Sequence, residues 1–405
     1  MADVAFVFSN PRHHLEMMAP VAAELARRQV SCTLVSLAEL RGFETPRESG
    51  ARRVIPVRLR TRTSQPSRPS DGGDDGAWRR GRLAQRLVWS LGLGPRLRWM
   101  LGGTRVVVVP NDAVYPYTEL VAQLARTGAR TVLMQEGIRF QQPETYTGPR
   151  YGVAVSGAVC AWGEGSKDFF LAGKVPEGRI AVTGAPRFDE LDPTAWRARG
   201  QALMNDLKLS APPLAFLSNP IEYQGYGSRE DKLELFARFL AGAAPILLRA
   251  GIPLLVKNHL HEDPNDYVRV AAASPLAGRV TVAASAPIFA AIAAARAAVV
   301  LTSTVGLEAL MFGLPLGVLE IPGHELAFEY VQRGAAVPLR IADIAAGVES
   351  LLAPDDARAA AGRAFVQRHL HDRGRARTNV ADVIERVLAG EQDAAAPHAK
   401  RLRWS

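Results

Sequence analysis

The sequence predicts a doubly wound, parallel α/β chain of two domains, on three observations. Short apolar runs of strand length alternate with segments of helical period along most of the chain. Polar residues gather directly after those runs, at the carboxyl ends of strands where open parallel sheets bind ligands. The length, 405 residues, exceeds one average domain and suffices for two α/β cores.

The first run, residues 4–8, ends at Ser9, Asn10 and Pro11, and Leu15, Met18, Val21, Leu25 and Ala26 then recur at helical spacing. A second strand at 32–37 completes a βαβ unit. Residues 64–76 are rich in Ser, Pro, Gly and Asp and read as an excursion within the first domain. Strands return at 104–109 and 129–134, with Leu120, Val121, Leu124 and Ala125 on a helix between them. Further short strands are expected at 153–160 and 180–183. After a linker helix and turn at 192–213, strands at 214–218, 253–257, 280–282, 298–302 and 316–319 build the second half. Residues 359–388 read as one helical segment packing across both halves, and 392–405 as a frayed end. The expected boundaries are 1–195, 196–375 and a C-terminal helix and basic tail at 376–405.

Hydrophobic residues at 48% and charged residues at 22% exclude a disordered chain. No apolar stretch reaches the roughly 18 to 20 residues of a membrane-spanning helix, and the short run before Asn10 does not form a signal peptide, so a cytoplasmic location is expected. Cys32 and Cys160 suggest neither a disulfide framework nor a thiolate metal site. The formal charge of +9 collects within residues 52–98 and around Lys400, Arg401 and Arg403, without the aromatic interleaving of a nucleic-acid reader. No specific nucleic-acid partner is therefore expected. Arg79, Arg80, Arg82, Arg86, Arg96 and Arg98 flank Leu83, Leu87, Val88, Trp89, Leu91, Leu97, Trp99 and Met100. That pattern fits either an amphipathic surface on the inner face of an anionic membrane or a helix packed by its apolar side.

Chemistry is carried by the residues at strand ends. In the first half these are Asn10, Arg12, His13 and His14, then Asn111 and Asp112, then Gln135, Glu136, Gly137, Ile138 and Arg139, then Gly184, Ala185, Pro186 and Arg187. In the second half Ser218 and Asn219, Lys257 through Glu262, and Thr302, Ser303 and Thr304 hold the matching positions. The turn after the apolar run 297–301 leads through Thr302, Ser303, Thr304 and Gly306 into a helix whose N–H groups suit a phosphate. Glu308 suits a neighbouring ribose or sugar hydroxyl; the alternative is an N-cap with a dipole-compensating acid. Lys257 and His259 can neutralise a diphosphate. No Walker loop, Gly-x-Gly-x-x-Gly loop or strand-positioned acidic metal clamp is present, the acids at 71–75 having no strand to place them. No metal and no cofactor are expected.

These residues carry a resemblance. Residues 182–191, Val-Thr-Gly-Ala-Pro-Arg-Phe-Asp-Glu-Leu, and 302–310, Thr-Ser-Thr-Val-Gly-Leu-Glu-Ala-Leu, followed by Gly313-Leu314-Pro315, are similar to segments of bacterial surface-polysaccharide transferases, including CDP-glycerol transferases and capsule enzymes. Those belong to the GT-B glycosyltransferase and sugar-nucleotide epimerase superfamily. Residues 134–139, Met-Gln-Glu-Gly-Ile-Arg, resemble the Glu-Ala-Gly-Leu-Arg segment of UDP-N-acetylglucosamine 2-epimerases.

The resemblance implies two Rossmann-like domains facing across a cleft, an acceptor side in the first and a nucleotide-donor side in the second. It implies metal-independent transfer of a sugar from a nucleotide-activated donor to a hydroxyl of a glycan or lipid-linked glycan, in bacterial surface polysaccharide synthesis. His14 is the first choice of general base, with His13, Glu136 and Asp112 as rivals or orienting groups. Ser218, Lys257, His259, Thr302, Ser303, Thr304, Gly306 and Glu308 are the donor-binding set. The alternatives are a UDP-N-acetylglucosamine 2-epimerase using Asp112, Glu136 and His259, and a non-catalytic nucleotide- or glycan-binding module. Epimerases carry a Ser-Gly-Gly turn and consecutive glutamates where this chain has Ser303-Thr304-Val305-Gly306 and one glutamate, which favours transfer. The segment Lys257-Asn258-His259-Leu260-His261 also departs from the Lys-x-His-Pro form of the transferases.

Overall fold

A computed structural model describes residues 2–54, 87–138, 150–324, 326 and 329–391. The excursion at 64–76, the acids at 71–75, Arg79, Arg80, Arg82, Leu83, Arg86, Arg139 and the tail at 392–405 lie outside the described residues. The chain divides into two compact units, one containing the described residues up to Leu191 and those from Arg368 onward, the other Asp192–Gln367.

The first unit is a parallel sheet of β1 (Val4–Phe8), β2 (Cys32–Ser36), β3 (Arg52–Arg53), β4 (Val106–Val109), β5 (Arg130–Met134), β6 (Ala158–Ala161) and β7 (Ile180–Val182), in the order β3-β2-β1-β4-β5-β6-β7. Its helices are α1 (His13–Arg27), α2 (Gly94–Met100), α3 (Tyr117–Ala125) and α4 (Glu164–Ala172). Central strands covered on both faces read as unbroken apolar runs, and every residue of β1 and β4 is buried. Strand order reverses between β1 and β4, so the loops leaving those strands open a crevice at the carboxyl edge.

The second unit repeats the plan. Helix α5 (Pro193–Asp206) precedes β8 (Leu214–Leu217), α6 (Arg229–Ala250), β9 (Leu254–Lys257), α7 (Pro264–Ala272), β10 (Val280–Val282), α8 (Ile288–Ala294), β11 (Ala297–Val300), α9 (Val305–Met311), β12 (Leu316–Leu319), β13 (Ala336–Leu339) and α10 (Ile344–Leu352). The sheet order is β10-β9-β8-β11-β12-β13, again all parallel, with its reversal between β8 and β11. The core stacks Phe216 against Phe236 and Phe239, with Leu240, Leu247 and Tyr267 buried beside them. Ser228 and Asp231 form a reciprocal capping box at the start of α6, and Gly251 at φ 66° ends the helix.

The helical segment expected at 359–388 is two helices, α11 (Asp356–His369) and α12 (Ala376–Leu388), separated where Asp372 and Gly374 take positive φ. Helix α12 packs on α1 and on β4, β5 and β6 of the first sheet. The strand expected at 153–160 is confined to Ala158–Ala161, because the preceding backbone is tied to Asp112. Strands β3 and β13 went unpredicted. One is two arginines long, and the other contains Pro338, tolerated because it lies on a sheet edge. The expected linker helix, α5, packs on α8 within the second unit.

Candidate active site

Glu136 is the focus of the first unit. It follows β5, and its carboxylate is held from two sides. Asn111 Nδ2, beyond β4, donates to Oε1 at 2.9 Å, and His14 Nε2, at the start of α1, meets Oε2 at 3.0 Å. Ala113 N–H donates to Asn111 Oδ1, which orients the amide with its NH2 toward Glu136. Gln135 fixes the turn beneath by accepting from Trp162 N–H and donating to Gly137 O and Ser166 Oγ. The Glu136 side chain keeps 24% of its surface exposed, so it is oriented and reachable.

His14 is buried, and its Nδ1 accepts the backbone N–H groups of Ser9 and Asn10 at 3.3 and 3.2 Å. An Nδ1 that accepts carries no proton, so in the neutral ring Nε2 carries it and donates to Glu136. In that tautomer His14, the first choice of base from the sequence, is a donor that orients the Glu136 carboxylate. His13 is likewise occupied. Arg187 Nη1 donates to its Nδ1 at 3.1 Å, and its Nε2 is hydrogen-bonded to the Glu136 carbonyl oxygen. Burial and the adjacent guanidinium hold the His13 pKa down at about 3, which leaves the ring neutral at physiological pH.

Asp112 is a clamp. Its two carboxylate oxygens accept the N–H groups of Gly152 and Ala154 at 2.7 and 2.8 Å, and burial raises its pKa against those bonds. Tyr151, on the same clamped segment, donates to Pro110 O and accepts from Glu136 N–H. Gly184 ends β7 at φ 88°, where a Cβ would stand 2.4 Å from His371 O, so only glycine fits. Asp189 accepts N–H groups of Gly374, Ala376 and Arg377, tying the 182–191 segment to the start of α12.

In the second unit, Asn219 Nδ2 bridges the reversal point, donating to Thr302 O and Oγ1 at 3.2 Å each. Ser218, expected to face a ligand, is instead part of a buried network. Its hydroxyl bonds Glu262 Oε1 and the Tyr267 hydroxyl, while Lys232 Nζ bonds Glu262 Oε1 at 2.6 Å and both oxygens of Glu222. Glu262 Oε2 accepts His259 N–H at 2.7 Å, so this network shapes the loop carrying Lys257 and His259. Burial and the charge of Glu262 push the Tyr267 phenol pKa up. Lys257 Nζ donates to the carbonyls of Asn258 and Ala284, and His259 Nδ1 accepts from His261 N–H.

The turn into α9 also differs from expectation. Val305 N–H goes to Ser303 Oγ, Gly306 N–H to Ser303 O, and Leu307 N–H to Thr304 O. The first three N–H groups of the helix are thus engaged locally. Thr304 makes no side-chain cap, and Gly306 serves packing, since a Cβ there would meet the Tyr330 ring at 2.8 Å. Glu308 is buried on α9, and its charge adds to the burial that raises the Tyr330 phenol. Tyr151, Lys232 and Tyr267 were not foreseen as parts of these networks. Among the described residues, no group of three or more His, Cys, Asp and Glu side chains is arranged to hold a metal ion.

Neither a protein-family model nor a curated protein matches the chain. Solved structures do match along nearly its full length. The UDP co-structure of S. aureus MnaA is 12% identical, covering 96% of this chain and 97% of that one, with a TM-score of 0.65. The UDP-N-acetylglucosamine 2-epimerase of Neisseria meningitidis bound to UDP-N-acetylglucosamine is 13% identical, covering 95% and 99%, at 0.59. A glycosyltransferase from Rickettsia africae is 13% identical, covering 95% and 98%, at 0.56. The fold is GT-B. Its two Rossmann-like units are those the sequence predicted.

Proposed function

We propose that this chain is an enzyme acting on a nucleotide-activated sugar, with Glu136 as the proton acceptor in the first unit and the nucleotide held by the second. The observation that carries the reading is the Glu136 carboxylate, which reaches from the end of β5 to Asn111 and His14, the residues flanking the β1/β4 reversal of a GT-B sheet, and is fixed by them yet accessible. A base that must act on a weakly acidic C–H or O–H needs this combination of orientation and reach. In the second unit Lys257, His259, Thr302, Ser303, Thr304 and Glu308 are assigned to the nucleotide. With the first N–H groups of α9 engaged, side chains and the loop before the helix carry that recognition.

The first chemistry to test is epimerisation of a UDP-N-acetylhexosamine, which the fold likeness to the N. meningitidis epimerase supports. Glu136 would take the proton from carbon 2 as the bond from carbon 1 to the UDP oxygen breaks, leaving a carbon 1–carbon 2 double bond; return of UDP to carbon 1 and of a proton to the opposite face of carbon 2 would give the epimer, and Asp112 is committed to its loop. The second is transfer to a hydroxyl of a glycan or lipid-linked glycan. One mobile proton suffices there, and the single Glu308 in place of consecutive glutamates favours it. Incubation with UDP-N-acetylglucosamine in deuterated water separates them: epimerisation puts deuterium at carbon 2, whereas transfer leaves the ring unlabelled and releases nucleotide only with an acceptor. Failure to bind any CMP-, CDP-, UDP-, GDP- or dTDP-sugar would sink both, and binding without turnover would leave a binding module.

A further inference from the structure

Helix α2 and the π-helical turn before it, Trp89–Leu93, divide their apolar residues between two sides. Leu93 and Leu97 are buried in the first unit's core, and Trp89 and Met100 pack against it. Leu87, Leu91 and Trp99 do the opposite: 54%, 82% and 77% of their surfaces are exposed. Burial of Leu93 and Leu97 already anchors the helix, so packing does not account for the outward residues. Large exposed apolar side chains grouped on one element mark an interaction surface.

Arginines lie around them. Arg96 and Arg98 are exposed on α2, and Arg52 lies with its guanidinium 5.3 Å from the Trp99 ring centroid and donates to Met100 O. Arg98 also lines a cavity of about 510 Å³ together with Arg105 and Arg130, at the amino ends of β4 and β5. Among the described residues, no Asp or Glu lines it. Arg105 donates to Leu388 O, and the nearest acid, Asp3, stands 4.0 Å from it.

We propose that this side of the first unit docks on an anionic lipid bilayer, with Leu87, Leu91 and Trp99 entering the headgroup boundary and Arg96, Arg98, Arg105 and Arg130 meeting lipid phosphates. Aromatic and leucine side chains beside arginines are the composition of interfacial helices, and the cavity lined by Arg98, Arg105 and Arg130 extends the electrostatic attraction. A protein partner would need an acidic groove of matching shape, whereas a bilayer needs only negative charge and an apolar interior.

The test uses the full chain and vesicles of phosphatidylcholine, alone or mixed with phosphatidylglycerol, in flotation at low and high salt. Binding is expected with the anionic mixture only and is expected to weaken with salt. Trp99→Ser with Leu91→Ser should lower the partition coefficient about tenfold or more, and Arg96→Glu with Arg98→Glu about fivefold per removed positive charge or more. Both variants should keep the parental unfolding midpoint and nucleotide binding. Equal recovery in the supernatant with both vesicle types at low salt overturns the proposal. So does a dimer in light scattering that Trp99→Ser dissolves, which would make the face a contact between copies. Binding that survives both double variants but is lost on reversing Lys400, Arg401 and Arg403 also overturns it, by moving the attachment to the tail.

Discussion

Two glutamates sit on equivalent edges of the two sheets and are treated in opposite ways. Glu136 is held by Asn111 on one carboxylate oxygen and His14 on the other and keeps a quarter of its side chain exposed. Glu262 is bonded by Ser218, Lys232, Tyr267 and the His259 N–H, with 3% of its side chain exposed. A saturated, desolvated carboxylate is committed to holding structure, while an oriented and reachable one can meet a ligand. Residue type and place on a strand end do not separate the two; the partners do.

The contrast breaks first at Glu136. Glu136→Gln keeps the shape and removes the base, so turnover of the matching nucleotide sugar should fall by about 10² to 10⁴-fold with nucleotide affinity unchanged in calorimetric titration. Equal losses in binding and turnover would make Glu136 a ligand anchor. Next is Glu262→Ala, which leaves the buried Lys232 with Glu222 alone and strips Ser218, Tyr267 and the His259 N–H of their shared acceptor, and should cost about 3 to 5 kcal/mol in urea unfolding. An unfolding midpoint equal to the parent would show that Glu222 alone satisfies that ammonium.

Smaller effects sharpen the same distinction. His14→Ala removes a hydrogen bond to a charged acceptor, about 1.5 to 3 kcal/mol, and should lower turnover by roughly 10- to 100-fold, less than Glu136→Gln. A loss as large as that of Glu136→Gln would restore His14 as the base. Glu308→Gln should weaken nucleotide binding about tenfold if its carboxylate accepts ribose hydroxyls; parental titration curves would remove that assignment.

The smallest effect is on pH. His13 has its folded pKa depressed from 6.5 to about 3, so the unfolded chain binds the extra proton between those values. Its contribution to stability is fully present above about pH 6.5 and is lost as pH falls toward 3. His13→Gln should flatten that part of the unfolding profile, and an unchanged acid slope would contradict the buried neutral ring.

Strand-length apolar runs and helical periods determined the doubly wound plan of both halves, because local backbone preference and burial of one face are written in residue order. The same reading found Glu136, Asp112, His13 and His14 at their strand ends. It put His14 first without sight of its partners, since a histidine that accepts two backbone N–H groups and one facing solvent are the same letters. It placed Ser218 and Gly306 in a ligand site, where tertiary contact made one part of an ionic network and the other the clearance for Tyr330. The final helix was legible as a helix, but its seat on the first sheet depended on Asp189 reaching nearly two hundred positions along the chain to its N-terminus. Sequence order sets which elements form; the partners of each polar group are set by packing between residues distant in the chain, and those partners decide which carboxylate is sealed into a network and which stays exposed.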